Sequence, residues 1–270
     1  MSGLRYEFVP ANDASRLDHV GTYKRRVPVS LQRMYENALD WEHLPHLHAS
    51  SFKGLTCVDS GAWGWRAEVQ NHKGQPSLLE LRLDRDCRRW ITRNLQGPST
   101  GAEIWTHVFE VEPRVLDLVI DFFVPDVPVE ARDKVGMAYA RAYETLYDED
   151  VWMMTERQQA LDTRIDTVQA QQLVVPMPEP AELPIQVEFS GRQFYVDRFQ
   201  DEWVSYPALC PHQMGPLQGQ INDQGEIHCP WHGYGFDVRS GQCTTGATCQ
   251  FGQRPVVVAR QDELQLTIAS

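Results

Sequence analysis

From residue 63 the chain alternates between apolar and polar positions. Trp63, Trp65, Ala67 and Val69 stand against Arg66, Glu68 and Gln70, and Leu79, Leu81 and Leu83 against Glu80, Arg82 and Asp84, the period of strands with one buried face. Strand-like runs follow near 88–93, 102–111 and 114–124. Pro128 then opens a helical stretch to about residue 163, a position where proline fits the first turn. Val135, Tyr139, Ala142, Leu146, Met153 and Ala160 form its apolar stripe. Residues 29–43 carry an earlier helix-like pattern. Consecutive strands followed by one long helix predict an α+β layer, an antiparallel sheet curled around the helix with room for a ligand between them. Trp63, Trp65, Trp105, Phe109, Phe122, Met153 and Met154 are candidates for lining that space or for filling its core.

The pattern changes at 167–184, where four prolines and no basic residue exclude a helix or a central strand. This segment reads as a linker between an N-terminal domain, 1–166, and a C-terminal domain, 185–270, whose short runs between Gly and Pro turns predict a small all-β fold. Of the 270 residues, 25 are Lys or Arg and 37 Asp or Glu, a formal charge of -12. Both halves are acidic, which disfavours nucleic acid and anionic lipid surfaces as partners. No apolar run approaches the ~20 residues of a membrane span. Six cysteines without an apolar leader at Met1–Pro10 read as thiols of a reducing compartment, with the cytoplasm expected.

The strongest chemical signal is Cys210-Pro-His212 followed by Cys229-Pro-Trp-His232. Tetrahedral zinc is the plain alternative, yet zinc pairs usually separate C-x2-4-C from H-x3-5-H. Here each loop supplies one Cys and one His, which suits two irons, one bound by sulfur and the other by imidazole. Cys-Pro-His-Gln-Met-Gly-Pro-Leu and His-Cys-Pro-Trp-His-Gly-Tyr-Gly-Phe-Asp closely resemble the two loops of the Rieske [2Fe-2S] family. In high-potential members a disulfide ties the loops; its cysteines would fall at Gly215 and Trp231, and the serine that hydrogen-bonds the cluster is replaced by Tyr234. The resemblance therefore implies the lower part of the roughly -150 to +300 mV Rieske range. Cys243 and Cys249 lie outside the motif and are expected to have no redox role.

A second cluster, Glu36-Asn37-Ala-Leu-Asp40-Trp-Glu-His43-Leu-Pro-His46-Leu-His48, packs three histidines into six residues. Asp40 and His43 share a helical face, but His48 points elsewhere on an unbroken helix. Pro45 is expected to break the helix at Leu44 and swing His48 back toward His43. Two imidazoles and one carboxylate leave open positions on iron, although a helix end with solvated histidines reads the same residues equally simply. Asn37, Asp40, His43 and His48 match the spacing of the Rieske non-haem iron oxygenases. In that family the third ligand is a carboxylate on the late helix, within Asp148-Glu149-Asp150 and followed here by Glu156. Helical phase leaves Glu149 and Asp150 open and puts Asp148 on the opposite face; the resemblance favours Asp150. His46 is read as exposed or supporting, and His19, His72 and His107 as ordinary residues, with His228 on a strand.

The resemblance implies a terminal oxygenase with a START-like, helix-grip N-terminal domain and a Rieske [2Fe-2S] domain, in the reverse of the family's usual order. It implies a [2Fe-2S] cluster on Cys210, His212, Cys229 and His232, and Fe(II) on His43, His48 and Asp150. Asp40 would bridge a cluster histidine and an iron-ligating one. Electrons would come from a reductase or ferredoxin, since no flavin or nucleotide motif is present. O2 would hydroxylate an apolar substrate, aromatic ones included, in a homo-oligomer that is trimeric in the family. The alternative is an electron-transfer or redox-sensing protein whose N-terminal half binds a hydrophobic ligand without iron.

Overall fold

The computed structural model describes residues 18–71, 73–164, 171–189 and 191–268, so His72 and residues 167–170 of the expected linker lie outside it. The chain divides into two compact units, Met1–Met154 and Thr155–Ser270.

In the first unit, β1 (His19–Val27) is followed by α1 (Leu31–Leu39), a 3-10 turn (Trp41–His43) and α2 (Leu44–Leu47). Six strands come next: β2 (Phe52–Gly61), β3 (Gly64–Asn71), β4 (Pro76–Asp84), β5 (Arg89–Gln96), β6 (Glu103–Glu112) and β7 (Val115–Phe123). The long helix α3 (Arg132–Asp162) follows. The seven strands form one antiparallel sheet in the order β1-β7-β6-β5-β4-β3-β2. Strands β3 to β7 were legible in the alternation; β1 and β2 were not. β2 is an edge strand with mostly exposed positions, and β1 hides its alternation behind Lys24, Arg25 and Arg26. Arg25 points inward along its stem and pairs with Asp148 at 2.6 Å.

The inner sheet face carries Leu116, Leu118, Ile120 and Phe122, all at most 1% exposed. Each such burial contributes about 1.5–3 kcal/mol. Phe122 packs against Tyr139 and Tyr143 of α3, ring centroids 5.4 and 5.2 Å apart. The helix reaches β1 through Gly136, where a Cβ would lie 2.1 Å from the Val20 carbonyl oxygen. The inward stripe of α3 is Tyr139, Tyr143, Tyr147, Asp150 and Met154, whereas Ala142 of the expected stripe is exposed. Bulk decides the phase: the tyrosines bury far more area than alanine, so the helix turns to cover them.

The outer face holds a buried charge ladder in which Arg66 pairs with Glu80, and Arg93 with Glu103 at 3.1 Å. Trp105 lies on this face, bonded to Glu103, and Phe109 is 55% exposed, so neither lines the inner space.

The second unit is small and all-β apart from the end of α3. Strands β8 (Gln171–Pro176), β9 (Ile185–Phe189), β10 (Arg192–Phe199), β11 (Glu202–Pro207), β12 (Glu226–His228), β13 (Gly235–Asp237), β14 (Val256–Arg260) and β15 (Glu263–Ile268) form sheets ordered β11-β10-β9 and β14-β15-β8 and the hairpin β12-β13. Phe189, Phe194, Val196, Leu264 and Leu266 fill its core. The expected linker differs from the structure at 171–176, which pairs with β15. Leu173 and Val175 give this stretch a buried side, and as an edge strand it accepts Pro176 at its end. Among the described residues no helix is long and apolar enough to cross a membrane.

Candidate metal centres

In the second unit, two short loops repeat one backbone pattern. Cys210 N–H donates to the Gly215 carbonyl (2.7 Å) and Met214 N–H to the Cys210 carbonyl (2.9 Å). In the second loop Cys229 N–H donates to Tyr234 O and Gly233 N–H to Cys229 O, both at 2.9 Å. The fifth residue of each loop is left-handed, Met214 with φ 62° and Gly233 with φ 66°. β12 and β13 carry the second loop, and a Leu209–Pro216 bridge closes the first.

These turns bring Cys210 and Cys229, each 1% exposed, together with His212 and His232, whose rings stand 4.6 Å apart at 81°. The Nδ1 atoms of both histidines are buried. A hydrogen bond between the thiols, with burial added, raises Cys210, while the same bond lowers Cys229, so the pair gives up one proton readily and holds the other firmly. Gly215 leaves space that a side chain would fill, since a Cβ there would lie 2.8 Å from Cys229 Sγ and from Trp231. Two thiols and two imidazoles around a glycine-lined space fit a [2Fe-2S] cluster. Tyr234 packs beside both rings, 4.8 Å from His212 and 5.9 Å from His232.

In the first unit, the site is built where α1 stops. Ser30 caps its start by accepting from Arg33 N–H, and Asp40 N–H closes its end on Glu36 and Asn37 carbonyls. Trp65 of β3 donates to the Ala38 carbonyl at 2.9 Å, pinning this end to the sheet. The break falls at Asp40, not at Leu44: Pro45 sits in the first turn of α2, where its missing N–H is harmless. The turn nevertheless brings His48 to His43, rings 5.0 Å apart.

His43, His48 and Asp150 are 3%, 2% and 8% exposed, and their candidate ligand atoms lie within 4.8 Å of one another. Both imidazoles present Nε2 to Asp150 Oδ1, His48 at 3.1 Å and His43 at 3.5 Å. Each Nδ1 faces another carboxylate: Glu149 Oε2 at 2.6 Å from His48, and Asp40 Oδ2 at 3.8 Å from His43. Asn37 Nδ2 donates to Asp150 Oδ1 at 2.8 Å. Glu149 thus supports a histidine, while Asp150 stands between both. Asp148 is exposed and bound to Arg25, as the helical phase requires. Asp40 is nearly buried, and His46 is exposed.

Burial alone would lower His43, yet Asp150 and Asp40 outweigh it and raise its pKa to about 9. Burial would raise Asp150, but His43 and His48 hold it far below the usual carboxylate range. This convergence of Nε2 atoms and one carboxylate fits a divalent iron with open positions. Beside it lies a cavity of about 110 Å³, lined by Phe52, Trp65, Leu79, Leu81, Trp90 and Thr92 among others. Of the aromatic and methionine candidates, only Trp65 lines this space; Phe122, Met153 and Met154 are buried elsewhere. Tyr143 and Tyr147 also reach the cavity, and burial holds both phenols above their ordinary range. Sequence reasoning missed them as site residues, although their four-residue spacing places them one and two turns before Asp150.

Residues 170–265 match the Rieske [2Fe-2S] domain family. The chain is 32% identical over 65 residues to the chloroplastic pheophorbide a oxygenase of Arabidopsis thaliana, covering 23% of this chain and 12% of that protein. It is 38% identical over 48 residues to the chloroplastic flavonoid 8-hydroxylase 2 of Ocimum basilicum, covering 17% and 9%. The similarity to these curated relatives thus spans about a tenth of their length. Among solved structures, a START superfamily protein from Mycobacterium smegmatis is 17% identical, with a TM-score of 0.42 over 51% of this chain and 98% of that one.

Proposed function

With residues 170–265 belonging to the Rieske [2Fe-2S] family, we propose that the chain is a terminal oxygenase using a Rieske cluster and a mononuclear Fe(II). The observation that carries this reading is the buried triad His43, His48 and Asp150 at the edge of an apolar cavity. When bound, these groups supply one-electron transfer and O2 chemistry. Cys210, His212, Cys229 and His232 would hold the cluster, and His43, His48 and Asp150 the Fe(II).

The chain's own residues perform the positioning. Glu149 accepts from His48 Nδ1–H and thereby fixes the tautomer that presents Nε2. Asn37 holds Asp150 Oδ1. Phe52, Trp65, Leu79, Leu81 and Trp90 give the space beside the triad an apolar wall that favours an apolar substrate. A cavity of about 150 Å³ accepts benzene, so the space of about 110 Å³ suits a reacting portion no larger than one aromatic ring. Asp40 would mediate electron arrival at His43, and a reductase or ferredoxin would be the donor.

Iron analysis tests the reading. Three irons per chain are expected, falling to two in Asp150→Ala, which should retain a reducible cluster and form no product. Two irons in the unmodified chain would overturn it in favour of electron transfer without a mononuclear centre.

A further inference from the structure

Two of the cysteines outside the cluster loops, Cys243 and Cys249, lie one residue beyond a bridged pair. Gln242 and Gln250 form an antiparallel bridge, Gln242 Nε2 donating to Gln250 Oε1 at 2.6 Å and Phe251 N–H to the Gly241 carbonyl at 2.8 Å. Carrying that register one residue further opposes Cys243 and Cys249, which are joined by a loop that turns at Gly246 with φ 94°. Opposed residues in antiparallel pairs have Cα atoms about 4.5–5.5 Å apart, within the roughly 4.4–6.8 Å that a disulfide spans. Each thiol acts on the other's proton, lowering Cys243 and raising Cys249. Both are free thiols that are partly exposed, whereas Cys210 and Cys229 are buried.

We propose that Cys243 and Cys249 are a reversible redox pair, closing to a disulfide with a hydroperoxide and reopening with a dithiol reductant. This reverses the expectation from sequence, which had no view of the register that opposes them. Cys243 is the attacking sulfur. Burial alone would raise its pKa, but the Thr245 hydroxyl, 3.4 Å from Sγ, and the backbone amides of Thr245 and Ala247 hold it low, whereas burial raises Cys249.

The Cys243 thiolate attacks one peroxide oxygen, the O–O bond breaks, and the departing oxygen leaves as water (or as an alcohol from an organic hydroperoxide) after taking a proton. Cys249 sulfur then displaces the hydroxyl of the Cys243 sulfenic acid, forming the S–S bond and a water. Two thiols are oxidised and one peroxide is reduced. The dithiol returns two electrons and two protons. Closure would brace the second cluster loop, because Thr244 N–H bonds the Gly235 carbonyl at 2.8 Å and Gly235 N–H bonds Thr245 Oγ1 at 3.3 Å, next to Tyr234.

The test is hydrogen peroxide treatment of the cluster-containing protein, then alkylation with iodoacetamide and trypsin digestion. Trypsin does not cleave before Pro255, so peptide 240–260 carries both cysteines and no other. It should appear unalkylated and lighter by two hydrogens, gaining two alkylation sites after dithiothreitol, with cluster absorbance retained. In Cys249→Ser, dimedone should label Cys243. The proposal is overturned if the peptide carries two alkyl groups at a peroxide dose that oxidises exposed Cys87, or if Cys243 takes no dimedone in that variant.

Discussion

The four residues proposed to hold the cluster lie on two neighbouring loops, Cys210–Gly215 and Cys229–Tyr234, each closed by its own main-chain bonds. In the N-terminal unit, by contrast, Asp150 stands 102 residues from His48, and nothing local joins them. The first centre is built by turn chemistry and the second by packing, as α3 delivers its carboxylate only because Gly136 and the tyrosines seat the helix on the sheet. Supporting groups differ accordingly. The thiols are enclosed by glycine and tryptophan, while the imidazoles are each backed by a carboxylate. A centre of the first kind fails when a loop residue is altered; one of the second is graded by its supports.

Cys210→Ser should have the largest effect. It is expected to abolish cluster absorbance and the Rieske-type EPR signal while leaving mononuclear iron bound, because the two units have separate cores. Loss of both metals would show that the centres do not stand independently.

The same contrast explains what the sequence disclosed. Both cysteine loops were readable because their residues are consecutive and their glycines mark the turns. His43, His48 and Asp40 were readable as a cluster, yet the break was assigned to Pro45 when the backbone turns at Asp40. Helical phase left Glu149 and Asp150 open because the exposed Ala142 obscured the phase of α3 that Tyr143 and Tyr147 define. β2 gave no alternation because an edge strand buries too little to require one. β8 was concealed by the prolines that follow it.

Gly215→Ala tests the close-packed side of the comparison. The new Cβ would meet Cys229 Sγ and Trp231 at 2.8 Å, and overpacking of this kind costs about 1–3 kcal/mol. Lower cluster occupancy and a lower melting temperature of the C-terminal transition are expected, with iron at His43 and His48 unchanged. Full occupancy with unaltered melting would show that the loops yield without strain.

Glu149→Ala tests the supported side. Removing the partner of a ligating imidazole typically lowers metal affinity about 10–100-fold, and the 2.6 Å contact to His48 Nδ1 places Glu149 in that role. Chelator competition should show this loss with the cluster spectrum intact. Complete loss of iron, equal to that of Asp150→Ala, would instead make Glu149 a ligand.

Asp40→Asn should have the smallest effect on iron, for two reasons that act together. Its carboxylate is 3.8 Å from His43 Nδ1, beyond a direct hydrogen bond, so less support is lost than with Glu149. It also helps to hold the iron-free His43 protonated, with a pKa of about 9. Binding iron requires neutral imidazole, so near pH 7 the unmodified protein must release that proton. The variant, with one carboxylate fewer, releases it more easily. This gain partly offsets the lost support below pH 9 and vanishes above it, where His43 is neutral in both proteins. The affinity deficit of Asp40→Asn should therefore grow as pH rises from 7 through 9, measured by chelator competition at each pH. A deficit that shrinks over the same range would mean that Asp40 does not govern the His43 proton. In single-turnover reduction the variant should keep both metals and pass electrons to iron more slowly, and a rate equal to that of the unmodified protein would remove Asp40 from the route.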